Sequence, residues 1–240
     1  MAAIRRAHSM TDTAQAPAIS VGIKTSAVDK LALAGIVGPL TWATLVVIGT
    51  ALEYGFLRRL GWEPLRDAQS YPRSLATGPY GWLQVANSLF FGGLEIAFAV
   101  GLHRGLTRGR GSPIGPALVG LFGAAMALWH LDTIPPGAEA GAPGFQQLLA
   151  FAFFAWALAL PPAFLFTWWR LRADPWWRGY PRYVFGTGVF LVLLLGLAAF
   201  IPPSLHDLPY YVYLTVALAG LEVLAIRLWT VARQATVNSE

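Results

Sequence analysis

Two acids interrupt stretches that are otherwise apolar: Glu95, in Gly93-Leu94-Glu95-Ile96, and Glu222, in Gly220-Leu221-Glu222-Val223. An ionised carboxylate removed from water costs several kcal/mol unless it is protonated, paired or hydrated. Such a residue points to proton handling, cation binding or acid–base work. Each acid lies about 20 Å along its apolar run, at 1.5 Å rise per residue, so the two have similar depth. The structural alternative is a pair of protonated acids, or acids neutralised by Arg104 or Arg227.

A second group brackets two Pro-Pro sequences. His130 and Asp132 precede Pro135-Pro136; His206 and Asp207 follow Pro202-Pro203. Imidazole and carboxylate are competent metal ligands. Their spacing matches no recognised ligand set, and a haem held by His130 and His206 is weaker still. Polar groups satisfied at helix ends are the plainer account. No metal or cofactor is assigned. A third group, Trp62, Glu63, Arg66, Asp67 and Arg73, lies in a segment from Glu53 to Tyr80 that is long for a connector. It reads as a lid meeting an anionic headgroup or solute through Arg66 or Arg73, or as an amphipathic surface helix.

Other chemistry is excluded by type. There is no cysteine, hence no disulfide or thiolate site. No Gly-rich phosphate loop with Lys, Gly-x-Ser-x-Gly or His-Glu-x-x-His occurs. No apolar run carries the Lys that a retinal Schiff base needs.

The chain that must position these residues is 56% hydrophobic and 12% charged, about half the charge of a soluble domain. Six apolar segments, 31–52, 81–103, 113–131, 145–169, 183–201 and 209–229, each approach the ~20 residues that span a bilayer core. They are continuously apolar rather than alternating, which excludes barrel strands. The predicted fold class is all-α: one six-helix transmembrane bundle over 31–230. A disordered tail over 1–30 precedes it, and a short tail, 231–240, follows. Met10 is an alternative start to Met1. Arg5 and Arg6 have no apolar run directly behind them, so no signal peptide is read there.

Thirteen of the seventeen Lys and Arg fall on the side shared by both tails and the loops after the second and fourth segments. The positive-inside rule puts both termini in the cytoplasm of a multi-pass cell-membrane protein. It also explains the net charge of +5 without a nucleic-acid partner. The run Trp168-Trp169-Arg170-Leu171-Arg172, with Pro175-Trp176-Trp177-Arg178, reads as a bilayer anchor. Pro161-Pro162 predicts a kink in the fourth helix, and the scattered glycines predict close helix approach.

One pattern is shared beyond this chain. Gly35-Ile36-Val37-Gly38-Pro39, Glu63-Pro64-Leu65-Arg66-Asp67, Ser74-Leu75-Ala76-Thr77-Gly78-Pro79-Tyr80-Gly81-Trp82-Leu83, Gly101-Leu102-His103-Arg104-Gly105-Leu106 and Asp132 resemble a bacterial and archaeal membrane family, domain of unknown function 998. The resemblance implies a six-helix bundle and carries no established activity. Family members show His at the start of the fourth helix, where this chain reads Gly144-Phe145-Gln146-Gln147.

The expected role is small-solute, ion or lipid handling through an interior site at Glu95 and Glu222, gated by the outer loop. The alternatives are a membrane-embedded acid–base enzyme acting on a lipid or isoprenoid, and a structural subunit of a larger complex. The partners expected are membrane lipids, a small-molecule or lipid ligand, or partner subunits.

Overall fold

The computed structural model describes residues 25–62, 74–106, 113–129, 143–198, 200 and 208–237. These residues form six α-helices and one 3-10 turn: α1 Thr25–Arg59, α2 Gly81–Gly105, α3 Ile114–Trp129, α4 Pro143–Leu171, the turn Pro175–Trp177, α5 Tyr180–Ala198 and α6 Leu208–Val237. Four helical stretches, Ala27–Arg59, Gly81–Gly105, Tyr180–Leu197 and Leu208–Gln234, are long and apolar enough to cross a membrane, and α3 is a shorter apolar helix. The burial pattern is that of a membrane protein. Val47, Phe90 and Leu193 are exposed, while Gln84, Asn87, Ser88 and Glu95 are buried. In water the exposed apolar side chains would be costly; facing lipid they are favoured, and polar side chains cost less inside the bundle than against the acyl chains.

Each helix packs on the next, and α6 returns to α1. The α1–α2 pair is antiparallel and holds its register along most of its length. Glu53 meets Tyr80, Trp42 meets Phe91, Gly38 meets Glu95, Gly35 meets Phe98 and Leu31 meets Gly101. Glycine makes this approach possible: a Cβ on Gly35 would lie 2.5 Å from the Phe98 ring, and one on Gly101 would lie 2.7 Å from Leu31 Cβ. The α2–α3 crossing is closer still, with Gly92 packed on the backbone of Gly123. At the opposite flank the α6 phenol of Tyr213 donates to the Ala157 carbonyl of α4 at 2.5 Å. Tyr213→Phe keeps the ring and loses this bond, and should lower thermal stability in detergent by about 1 kcal/mol. An unchanged melting temperature would show that the bond contributes nothing.

Several boundaries differ from expectation. Residues 25–30, read as part of a disordered tail, are the first turns of α1, and Asp29 pairs with Arg233 of α6 at 3.6 Å. At its far end α1 continues past Leu52 to Arg59, so Glu53, Arg58 and Arg59 belong to the helix and not to the outer loop. It stops at Gly61, whose φ of 79° reverses the chain. Gly61 N–H then donates to Arg58 O at 3.1 Å and Trp62 N–H to Leu57 O at 3.0 Å, a Schellman cap. Trp62 and Leu57 are buried together there. α6 likewise runs to Val237, through most of what reads as a tail. α4 continues through both Pro161 and Pro162.

Within the Trp-Arg run, Trp169 is exposed, as an anchoring side chain would be. Trp177 is fully buried. Asp174 accepts from Trp176 N–H at 3.0 Å, and Gly179, at φ 87°, turns the chain into α5. The Arg227 guanidinium donates to the Trp176 carbonyl and lies 4.9 Å over the Tyr180 ring. Local capping and one arginine therefore fold this connector onto the helix ends.

Candidate functional site: the buried face of α2

Gln84, Asn87, Ser88, Phe91 and Glu95 recur at steps of three and four residues, which stacks them on one face of α2. All five are buried. Glu95 is fully buried, and neither carboxyl oxygen has a hydrogen-bond partner among the described residues. Its frame is built from small residues. A Cβ on Gly38 of α1 would lie 3.3 Å from Glu95 Oε1, and one on Gly123 of α3 would lie 2.9 Å from Glu95 Cβ. The carboxyl thus occupies space that glycine leaves open at the junction of α1, α2 and α3. On the Gly38 and Gly123 sides there is less room than a methyl group ordinarily takes.

The part of the same face nearer the start of α2 is polar. Asn87 Nδ2 donates to the Trp42 carbonyl of α1 at 3.2 Å and to Gln84 Oε1 at 3.4 Å. Asn87 Oδ1, Ser88 Oγ and Trp42 Nε1 are buried without hydrogen-bond partners among the described residues. Native structures leave few such atoms, and buried water or a ligand commonly satisfies them. Phe91 lies between this group and Glu95. Its ring is 5.8 Å from Trp42 and 6.0 Å, edge-on, from Phe122.

Another buried polar residue, Glu53, sits where the C-terminal part of α1 meets the start of α2. Glu53 Oε1 accepts from Tyr80 N–H, at the N-cap of α2, at 2.6 Å. A carboxylate is favourable there because the first helical N–H groups are unpaired and the helix dipole is positive. Glu53 Oε2 has no such partner and lies against Gly78. A side chain on Gly78 would enter the carboxylate, and one on Gly81 would strike the Ala76 carbonyl. The Thr77-Gly78-Pro79-Tyr80-Gly81 sequence is therefore shaped as a seat for Glu53.

Glu222 lies on α6, partly buried, between buried Leu221 and exposed Ile226. The glycines beside Glu95, Gly38 and Gly123, come from α1 and α3. Neither Arg104 nor Arg227 makes an ion pair with Glu95 or Glu222 among the described residues. Of the outer group only Trp62 is described, and it packs into the end of α1. Glu63, Arg66, Asp67, Arg73, His130, Asp132, His206 and Asp207 lie outside the described residues. Among the described residues, no three His, Asp or Glu side chains gather as a metal site.

The elements that build this face, from Gly38 of α1 through the Gly78 turn to the Gly123 crossing, fall within the match to one family model. The family model described as protein of unknown function (DUF998) covers residues 36–232. The chain belongs to that family. No curated protein and no solved structure matches it. Within this DUF998 chain, the resemblance first noted in Gly35–Pro39 and Ser74–Leu83 lands on two packing seats, the α1 wall opposite Glu95 and the turn around Glu53. Gln84, Asn87 and Ser88 were not singled out from the sequence, although their helical spacing from Glu95 was the available signal.

Proposed function

We propose that this DUF998 protein is a six-span protein of the cytoplasmic membrane, with both termini cytoplasmic, that handles protons at Glu95. The charge bias of the loops supports the orientation. The Asp29–Arg233 pair, which joins the start of α1 to the end of α6, supports an even number of crossings.

One observation carries the functional reading: a fully buried carboxyl with neither oxygen partnered, enclosed by glycines. Intramembrane acids are rare and costly, and they mark proton or ion pathways by default. The tight frame selects among ligands. A metabolite or lipid headgroup needs a pocket, whereas a proton needs only the carboxyl oxygen. The surrounding low dielectric makes the two protonation states differ strongly in their preferred surroundings. Gain or loss of a proton at Glu95 therefore favours different packing of α1 and α3 around it.

The test is proton flux into proteoliposomes, driven by a valinomycin-clamped potassium gradient and read by entrapped pyranine. Glu95→Gln keeps the shape and removes the titrating group, and should reduce flux to that of empty vesicles. Wild-type flux in Glu95→Gln would refute the assignment.

A further inference from the structure

We propose that Ser88 and Asn87 form a hydrated relay that delivers protons to Glu95 from the outer end of α2, and that Phe91 is the barrier that interrupts it. This rests on the reading of Glu95 as a proton site.

Three observations carry it. Ser88 Oγ and Asn87 Oδ1 are buried without partners, although Asn87 Nδ2 is held firmly by the Trp42 carbonyl. The lone pairs left over lie on the same helical face as Glu95, where buried water with several polar neighbours is the ordinary means of satisfaction. Trp42 Nε1, also without a hydrogen-bond partner, supplies a donor from the α1 side. The polar run starts at the outer end, where Glu53 meets the first turn of α2. The relay stops short of Glu95. Ser88 and Glu95 are two turns apart, about 10 Å along the axis at the helical rise. Phe91 fills the intervening turn and is wedged between Trp42 and Phe122. The Gly38 position touches both Phe91 and the Glu95 carboxyl, with would-be Cβ distances of 3.4 and 3.3 Å. Rotation of one ring would therefore change access to the acid. No charged group of the described residues pairs with Glu95.

The chemistry is proton transfer alone. A hydronium ion at the outer end gives a proton to relay water, and each hop forms one O–H bond as it breaks another. When Phe91 is displaced, water occupies the vacated turn and carries the remaining hops, the last of which protonates the Glu95 carboxylate. Release on the other side returns the carboxylate. No oxidant or co-reactant is needed.

The experiment is the same pyranine-loaded vesicle assay, with Ser88→Ala, Asn87→Leu, Phe91→Ala, Glu95→Gln and the Phe91→Ala/Glu95→Gln double variant. Size-exclusion profiles in detergent establish folding. The Ser88 hydroxyl makes no hydrogen bond among the described residues, so the alanine variant should fold and remains decisive if Asn87→Leu does not. The expected results are a several-fold slower flux in Ser88→Ala, and a several-fold faster flux in Phe91→Ala that disappears in the double variant. Wild-type rates in Ser88→Ala and Phe91→Ala, with flux lost in Glu95→Gln, would overturn the relay and leave the Glu95 reading intact. Wild-type flux in Glu95→Gln would overturn both.

Discussion

Gly78→Ala is expected to destabilise the protein by more than about 2 kcal/mol, a large effect for one methyl group. Position 78 shows why. The new Cβ would enter the Glu53 carboxylate, and that carboxylate is not free to move away. It is 2% exposed, and Tyr80 N–H holds it at 2.6 Å. Relief requires either breaking the cap of α2 or displacing the turn from α1. Either route leaves a buried acceptor or donor unsatisfied, at about 1–3 kcal/mol. The effect should also be non-additive. In a Glu53→Ala background the obstruction is gone, so Gly78→Ala should cost much less there. Thermal unfolding of the four proteins in detergent measures this coupling. Equal costs in both backgrounds would show that Glu53 and Gly78 do not meet as described.

Gly92→Ala and Gly93→Ala should differ in sign although they are neighbours. At Gly92 a Cβ would strike the Gly123 carbonyl and lie 2.7 Å from Ala127 Cβ and 2.9 Å from Ala127 N. Those are largely backbone and short side-chain atoms, so α2 and α3 would have to separate. Overpacking of this kind typically costs about 1–3 kcal/mol, and a backbone clash belongs at the upper end. At Gly93 nothing lies within 4 Å of the Cβ position. Alanine there gains helix propensity, roughly 0.5–1 kcal/mol in a helix interior. Melting temperatures in one detergent check both. A stable Gly92→Ala, or a damaged Gly93→Ala, would mean that α2 is rotated from the face described. The Glu95 frame would then be wrong as well, because Gly123 faces both Gly92 and Glu95.

The helical architecture was legible because apolar runs of about 20 residues have few other uses. Glu95 was legible for the same reason, as an acid with no aqueous surroundings in its sequence. Glu53 was not. It stands beside the end of an apolar run and reads as loop, because its partner, Tyr80, is 27 residues away and no local spacing reveals the pairing. The Gly61 cap, which extends α1 past it, depends on one backbone angle. Trp177 misled in the opposite direction. Trp beside Arg suggests a headgroup anchor, but the Asp174 cap and the Gly179 turn bury it. Equal depth made Glu95 and Glu222 look like a pair. Depth gives height along the bundle and not the direction a residue faces; Glu222 is partly buried on α6, and Glu95 is fully buried on α2 with Gly38 of α1 and Gly123 of α3 beside it.

The most direct test of the central claim is an infrared difference spectrum of the protein in lipid, recorded as bulk pH is changed, for wild type and Glu95→Gln. The account predicts a carboxylic-acid C=O band that rises and falls reversibly with pH and is missing from Glu95→Gln. A wild-type spectrum without such a band, or one unchanged in Glu95→Gln, would mean that Glu95 exchanges no proton with water and would contradict the account.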